Sequence, residues 1–482
     1  MEIAREVRRR PPVGYTPARR IFAHRIFENH TLPMTTPASG HEGTPQRVLS
    51  TIDAVAIIVG LVIGAGIFRL PSLVAGNSSG EAAFYLLWAV GGIISLIGAL
   101  CYAELATAYP SAGGDYHFLR RAFGRGLSFL FAWARIAVIT TGSIAVLGYT
   151  FGDYASNLFR LGANSSAIYA ALSVIVLTAV NISGIRETKG TQNVLTVIEV
   201  AGVVAVIVTG ILLVAPASAP AASAEAKPFM AGAPLAILFV LFTFGGWNEG
   251  AYISAELKER RSMVTALAVS LITVTVLYLL VNFAYVRALG LEGVAKSETV
   301  AADVLRLEFG ETGFKIISFM IAVSALTSIN ATIIVGARSN YALGRDWRVF
   351  AWLGHWDARG DAPRHALLVQ ATVALALVIA GAFTAKIETM VDYTMPVFWF
   401  FFMLVGIGLF VLRVRDPDAP RPFKVPLYPV TPLIFVATCA YLLYSSLAYV
   451  RTGAWVGVGV LAVGGVLLAV NLRLGSPALK RT

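Results

Sequence analysis

The sequence predicts an all-α membrane protein with twelve transmembrane helices, of which helices 1 and 6 are discontinuous. Of the 482 residues, 57% are hydrophobic and only 13% are charged, about half the charged fraction of a soluble domain. Apolar runs recur along the chain, and each is long enough to cross roughly 30 Å of hydrocarbon as a helix. Because backbone groups in lipid must find partners inside the protein, these runs are expected to be helices rather than open sheet.

Twelve runs reach membrane length and divide the chain. Residues 51–215 then form a first repeat of spans 1 to 5, residues 230–412 form a second repeat of spans 6 to 10, and residues 427–474 hold spans 11 and 12. The approximate limits of the predicted spans are 52–75, 82–109, 127–152, 166–184, 192–214, 233–256, 264–288, 314–342, 365–384, 389–412, 430–449 and 454–473.

The two ends of the chain are expected to be cytoplasmic tails. Residues 1–50 are basic and lack the apolar core of a signal peptide, so they are interpreted as a disordered N-terminal tail, and residues 475–482 as a short C-terminal one. Lys and Arg concentrate in the even-numbered connections between spans. By the positive-inside rule, this pattern places both ends of the chain in the cytoplasm. The net charge of +11 is thereby explained without a nucleic-acid partner. The expected location is the plasma membrane.

Paired glycine clusters interrupt spans 1 and 6. In two five-span halves, these breaks fall at the same place, which is the best sequence indication of a transporter binding site at mid-membrane. A lone glycine cluster more often serves close helix packing, but two clusters in matched spans favour a binding site. The predicted site consists of Ile63, Gly64, Ala65, Gly66 and Ile67 in span 1 and of Phe242, Thr243, Phe244, Gly245, Gly246, Trp247 and Asn248 in span 6.

A broken helix presents both of its polar ends to a ligand. Where the helix restarts near Gly66 and Ile67, unpaired N–H groups with positive dipole character are expected to face a carboxylate. The carbonyl groups near Ile63, Phe242 and Thr243 are expected to face a cation such as an α-ammonium group. The breaks therefore predict a carrier of small zwitterions.

One acidic residue lies deep inside an apolar span. Glu199 is in span 5, where a carboxylate is costly and is by default a functional hypothesis. It is a candidate proton carrier or cation ligand, with the span 8 hydroxyls of Ser324, Thr327 and Ser328 as candidate partners. The alternative is a protonated glutamic acid that is hydrogen-bonded in the core.

Two further charged residues flank the breaks. Glu249 follows the second break and is interpreted either as a favourable acid at the start of a half-helix or as a gate or selector for cationic substrates. Arg69 follows the first break and is expected to form a structural ion pair or to attract the carboxylate. Cys101 and Cys439 lie within apolar spans, so neither a disulfide nor a metal site is predicted.

Several motifs resemble those of a known family. The chain resembles the amino acid–polyamine–organocation (APC) superfamily, and in particular bacterial permeases similar to L-type amino acid transporters, from about residue 50 to 475. The motifs are Gly64-Ala65-Gly66-Ile67-Phe68, Tyr102-Ala103-Glu104-Leu105 with Pro110, Gly113, Gly114 and Tyr116, Gly245-Gly246-Trp247-Asn248-Glu249, and Arg421-Pro422-Phe423-Lys424-Val425-Pro426.

This resemblance implies a LeuT-like fold of two inverted five-helix repeats that works by alternating access. It also implies that the backbone from Gly64 to Ile67 holds the substrate carboxylate and that Phe242 is an aromatic gate. Trp247 and Asn248 would shape the pocket and brace the broken helix.

Two positions depart from the relatives. Many of them carry a lysine, whose ammonium stands in for a sodium ion, where this chain has Glu199. Their coupling mechanism therefore does not transfer to this chain, and a proton or a sodium ion remains open. The connection from Arg160 to Ser166 has no cysteine, whereas animal relatives use one there to bind an accessory glycoprotein, so no disulfide-linked subunit is expected.

The sequence favours a secondary active transporter of neutral L-amino acids, driven by protons or by exchange. The alternatives are a carrier of cationic amino acids or polyamines and a sodium-coupled symporter, followed by a channel, a sensor or an intramembrane enzyme. No His-Glu-x-x-His pattern supports an enzyme. No cofactor and no bound metal are expected, and membrane lipid is the expected surrounding.

Overall fold

The computed structural model describes residues 47–64, 66–217, 232–297, 299–357, 361–384, 395–450 and 454–473. In these ranges the chain is helical, with β-pairing confined to two isolated bridges. Eleven of the described helices are long and apolar enough to cross a membrane, and a bent pair of shorter helices makes a twelfth span. The predicted fold class, an all-α membrane protein with twelve spans, is confirmed.

The spans follow the predicted order, and most of their ends lie within a few residues of the prediction. Spans 5 and 8 begin earlier, at Ile185 and Val300, and spans 3 and 7 extend further, to Leu158 and Lys296. Gly290 and Gly310 have non-helical backbone angles within the helices of spans 7 and 8. The described helices are Thr51–Val62 and Gly66–Gly76 (span 1), Glu81–Ala108 (2), Arg125–Ala134, Arg135–Ile139 and Thr140–Leu158 (3), Ser165–Ser183 (4), Ile185–Val208 with Thr209–Leu213 (5), Ala233–Thr243 and Trp247–Glu256 (6), Ser262–Lys296 (7), Val300–Asp346 (8), Arg364–Thr384 (9), Met395–Arg415 (10), Val430–Val450 (11) and Ala454–Arg473 (12), with short helices Asp115–Phe123 and Arg348–Gly354 between spans.

Span 8 lies at the centre of the bundle and span 12 at its edge. In the most apolar stretch of each, 83% of the residues of span 8 are buried against 17% of those of span 12. Span 8 packs against spans 1, 3, 4 and 5, while span 7 packs against spans 1 and 2. The two halves of span 1 are therefore enclosed between spans 7 and 8, which is where a site built from main-chain groups is shielded from lipid.

The connections after the even-numbered spans meet at one end of the bundle, here called the basic end, and buried ion pairs join helices there. The carboxylate of Glu104 in span 2 accepts hydrogen bonds from Arg413 Nε at 2.8 Å and Nη2 at 2.5 Å, and from the Val425 N–H at 2.7 Å. The carboxylate of Glu256 at the end of span 6 pairs with Arg338 of span 8. Removing one partner of such a buried pair costs about 3–5 kcal/mol, so these contacts hold span 2 to span 10 and span 6 to span 8.

The segment before span 1 is also fixed at the basic end. The Leu49 N–H donates to the Glu256 carbonyl at 2.9 Å, and the Lys258 N–H donates to the Leu49 carbonyl at 3.0 Å. Span 1 then begins with a capping box, in which Ser50 and Asp53 satisfy each other's backbone N–H groups. The starting point of span 1 is thus tied to the end of span 6.

Candidate functional site

Span 1 is broken where the sequence predicts. The helix Thr51–Val62 ends, a second helix Gly66–Gly76 begins, and the two axes differ by 48°. Gly64 and Gly66 are partly exposed between the buried Ile63 and Ile67, so main-chain atoms are reachable at the break. Ala65, predicted as part of the site, lies outside the described residues.

The glycines of this break face other predicted site residues. A Cβ added to Gly64 would lie 3.4 Å from Ser328 Oγ, and one added to Gly66 would lie 3.5 Å from the Thr243 methyl group and 3.7 Å from its Cα. Those distances leave room for a methyl group and for little more. The first N–H groups of the helix Gly66–Gly76 have no acceptor within that helix. The Ile67 N–H donates to the Gly64 carbonyl at a long distance of 3.4 Å.

Span 6 is broken at the matching position. The α-helix ends at Thr243, and a 3₁₀-helix begins at Trp247 after a turn through Phe244 and Gly245. Gly246 has a φ of 106°, a backbone angle that residues other than glycine rarely adopt. A Cβ on Gly246 would also collide with the carbonyl of Leu61. The two breaks are therefore in direct contact, and a glycine is required where they touch.

Hydroxyl groups occupy the carbonyl ends of both first halves. Tyr278 Oη of span 7 lies 2.9 Å from the Val62 carbonyl oxygen and 3.2 Å from that of Thr243. Ser328 Oγ donates to the Gly60 carbonyl at 3.1 Å. The predicted polar main-chain ends are thus present, and a tyrosine that the sequence reading did not single out joins them.

Glu199 lies next to this point, in contact with one of its predicted partners. Its side chain is buried, and Ser324 Oγ donates to its Oε1 at 2.6 Å. The same hydroxyl lies 3.4 Å from the Ile63 carbonyl. In the part of the chain that the structure describes, Glu199 Oε2 has no hydrogen-bond partner. Glu199 therefore connects through Ser324 to the break in span 1, with one oxygen available.

The other two span 8 hydroxyls point elsewhere. Thr327 Oγ1 donates to the carbonyl of Val323 in its own helix, at 2.9 Å. Ser328 Oγ binds the carbonyl of Gly60 and lies 3.5 Å from that of Ile63. Through their hydroxyl groups, Ser324 thus contacts Glu199, Ser328 contacts the span 1 carbonyl groups, and Thr327 contacts neither.

Glu249 forms a buried ion pair with Arg135, a residue that the sequence reading missed. Arg135 Nη1 and Nη2 each lie 2.7 Å from one Glu249 oxygen. Arg135 opens the π-helical segment Arg135–Ile139 in span 3, and such a widened turn is frequent at functional sites. A charged residue within an apolar span is the signal that points to it. The pair occupies both oxygens of the Glu249 carboxylate, which weighs against the interpretation of Glu249 as a selector for cationic substrates.

Asp115 faces the same guanidinium group from the short helix Asp115–Phe123, outside the spans. Burial, and after it the nearby charge of Glu249, raise the pKa of Asp115 to about 7 against the opposing effect of Arg135. Its Oδ1 and the hydroxyl groups of Tyr102 and Tyr252 have no hydrogen-bond partner within the described ranges. This cluster lies below the break in span 6, toward the basic end.

The remaining predicted residues surround the breaks. Trp247 is buried against Tyr102, with ring centroids 5.3 Å apart, and Asn248 Nδ2 lies 3.4 Å from Glu249 Oε1. Phe244 is buried, whereas the Phe242 side chain is 45% exposed. Arg69 is exposed at the second half of span 1, and its carbonyl accepts from Ser72 Oγ.

Twelve spans around two broken helices that contact each other form an arrangement that is typical of membrane carriers. Residues 49–467 match the family model described as amino acid permease. Since that match covers most of the chain, the protein belongs to the amino acid permease family, within the APC superfamily, and is a multi-pass membrane permease rather than an enzyme.

Curated relatives agree with this assignment. The chain is 29% identical over 422 residues to the b(0,+)-type amino acid transporter 1 of Mus musculus, covering 85% of this chain and 84% of that protein. It is also 29% identical over 450 residues to the large neutral amino acids transporter small subunit 2 of Mus musculus, covering 90% of this chain and 83% of that protein. The predicted resemblance is confirmed.

Proposed function

We propose that this permease is a secondary active transporter that carries neutral L-amino acids across the plasma membrane by alternating access, coupled to protons or by exchange. The observation that carries the proposal is the contact between the two breaks, where Gly246 lies against the Leu61 carbonyl. There the N–H groups at Gly66 and Ile67 would hold a carboxylate, and the carbonyl groups at Val62 to Ile63 and Phe242 to Thr243 would hold an ammonium group. Both termini would be cytoplasmic, as the positive-inside rule requires.

The pairing of Glu249 supports a neutral substrate. Arg135 binds both of its oxygens. The side chain of Glu249 is 14% exposed and that of Arg135 is 2% exposed. A cationic substrate side chain needs an acidic partner, and the Glu249 carboxylate is already paired with Arg135. A carrier of cationic amino acids or polyamines is therefore the weaker candidate. It stays a candidate because one relative is named a b(0,+)-type amino acid transporter, with a plus sign in its name.

Glu199 is the proposed coupling residue. Its unpaired oxygen in a buried place suits a proton carrier. A sodium symporter is a second candidate, because Ser324, Ser328 and the carbonyl groups of Gly60 and Ile63 form a group of oxygen atoms beside that carboxylate. Oxygen ligands are the ones that hard cations prefer.

The experiment that tests the function uses the purified chain in proteoliposomes. Each of the twenty amino acids is offered as competitor for counterflow of a labelled neutral amino acid, at acidic and neutral pH, with and without sodium. We expect saturable, stereoselective counterflow, with competition by neutral L-amino acids and little by lysine, arginine or polyamines. Flux that neither saturates nor distinguishes enantiomers would indicate a channel, and strong competition by lysine would indicate the cationic alternative.

Replacing Glu199 by glutamine tests the coupling. Because glutamine keeps the shape and loses the titrating group, we expect uptake by Glu199→Gln to become nearly independent of pH. The matched control is Glu311→Gln, at an exposed acid, which is expected to keep the pH dependence of the parent. If Glu199→Gln follows pH as the parent does, Glu199 is not the proton carrier, and lost sodium stimulation would favour the symporter.

We also propose that the chain works without a disulfide-linked subunit. Its two cysteines, Cys101 and Cys439, are both buried, and the connection from Arg160 to Ser166 contains none. An intermolecular disulfide needs an accessible thiol, and a buried cysteine behaves as a small apolar residue.

A further inference from the structure

Tyr278 joins the two broken helices through one hydroxyl group. Its side chain is fully buried in span 7, and its Oη lies 2.9 Å from the Val62 carbonyl oxygen and 3.2 Å from the Thr243 carbonyl oxygen. Val62 is the last residue of the first half of span 1, and Thr243 is the last residue of the first half of span 6. The hydroxyl therefore lies where two helix C-termini converge.

The ring of Tyr278 is fixed by its neighbours. Its centroid lies 4.9 Å from that of Phe244 and 5.8 Å from that of Trp88, both in edge-on arrangements. With the ring held on these two sides, the position of the hydroxyl is determined by packing, and the carbonyl groups must adapt to it.

The chemistry of this contact defines what remains free. A phenol has one hydrogen to donate, whereas each carbonyl oxygen has two lone pairs. One shared hydrogen thus fixes both oxygens in place and leaves each of them able to accept another donor. Helix C-termini carry partial negative charge, so two that meet within hydrogen-bond reach of one oxygen atom create a place that favours a cation with several N–H donors.

We propose that Tyr278 is a positioning residue, which sets the carbonyl groups of Val62 and Thr243 as a two-oxygen cradle for the α-ammonium group of the substrate. This inference rests on the proposed function and adds to it the group that orients the cradle. Tyr285, two turns further along span 7, does not do the same at the other end of the break. Its Oη lies 3.5 Å from the Ile67 carbonyl, beyond a normal hydrogen bond.

The test compares two ligands that differ at the ammonium group alone. These are the neutral L-amino acid with the lowest KM in the parent protein and its α-hydroxy acid, which keeps the carboxylate and side chain. In Tyr278→Phe, we expect the KM for the amino acid to rise about tenfold, as for the loss of an oriented hydrogen-bonding group. The inhibition constant of the α-hydroxy acid is expected to stay within about twofold of the parent's, since that ligand has no ammonium group.

Tyr149→Phe is the matched control. Tyr149 Oη donates to the Val378 carbonyl at 2.7 Å, so this variant also removes a tyrosine-to-carbonyl hydrogen bond between two spans, but away from both breaks. We expect its KM to equal that of the parent. Thermal unfolding of each purified variant checks the fold, and Phe at position 278 retains the ring contacts with Phe244 and Trp88.

Three results would overturn the proposal. One is an unchanged KM in Tyr278→Phe, and another is an equal loss of affinity for both ligands, which would mean a structural role. The third needs no variant: if the parent binds the α-hydroxy acid as tightly as the amino acid, no ammonium cradle exists. A parent that transports no amino acid would instead refute the proposed function.

Discussion

At the scale of single residues, the site depends on what is missing from the side chains. Gly66 faces the Thr243 methyl group and Gly246 faces the Leu61 carbonyl, so the two main chains approach each other because neither carries a Cβ there. Tyr278 and Ser328 then fill the hydrogen-bonding needs that the broken helices leave open. The backbone supplies the ligand groups, and the side chains hold it in place.

Enlarging Gly66 tests this arrangement. We expect Gly66→Leu to weaken substrate binding about ten- to a hundredfold, because its branched side chain would fill the carboxylate niche and remove charge-assisted hydrogen bonds. Gly66→Ala is expected to lose much less, since its Cβ would meet Thr243 at the ordinary distance of 3.5 Å. Substrate-induced thermal stabilisation of the purified variants measures both, and parent-like affinity in Gly66→Leu would refute the niche.

At the scale of helices, hydropathy and glycine content predicted most of the architecture. The order of the twelve spans, most of their ends and both breaks agree with the prediction, because length in lipid and loss of helix at glycine clusters are local properties. The predicted start of span 10, residue 389, lies outside the described residues.

The contacts between helices could not be predicted in the same way. Tyr278 and Arg135 form their hydrogen bonds with residues of other spans. When all faces of a span are apolar, the sequence does not show which face turns inward. Tyr278 also sits in an apolar run as an ordinary aromatic residue. Arg135 was detectable as a charge within span 3, but its partner Glu249 is 114 positions away in the sequence.

The short helix Asp115–Phe123 gives a prediction about pH. The pKa of Asp115 is raised from its ordinary value of 3.8 to about 7 by burial and by Glu249, against the effect of Arg135. In that window the folded protein keeps a proton that the unfolded chain has lost, so the free energy of unfolding falls as pH rises from 3.8 to about 7. We expect Asp115→Asn to remove part of this decline.

The measurement is thermal unfolding of the purified protein across that pH range. Glu308→Gln changes an exposed acid and serves as the control, with a pH profile like that of the parent. A profile for Asp115→Asn that runs parallel to the parent's would show that Asp115 does not titrate there.

At the scale of the whole molecule, the chain is expected to be sufficient for transport. Cys101 and Cys439 are buried, so we expect Cys101→Ala and Cys439→Ala variants to retain uptake within about twofold, since each loses only a small core group. Uptake by the purified chain should also be the same with and without reductant. Activity that appears only after a second polypeptide is added would contradict this expectation.

The hydrogen bonds of Leu49 have a mechanical consequence. They join the approach to span 1 with the exit from span 6, and Arg338 fastens that exit to span 8. Any opening at this end must therefore move the start of span 1 and the end of span 6 together, or else break the hydrogen bonds of Leu49. A displacement of Leu49 would therefore act on the end of span 6 as well as on span 1, although the two lie about 200 positions apart along the chain.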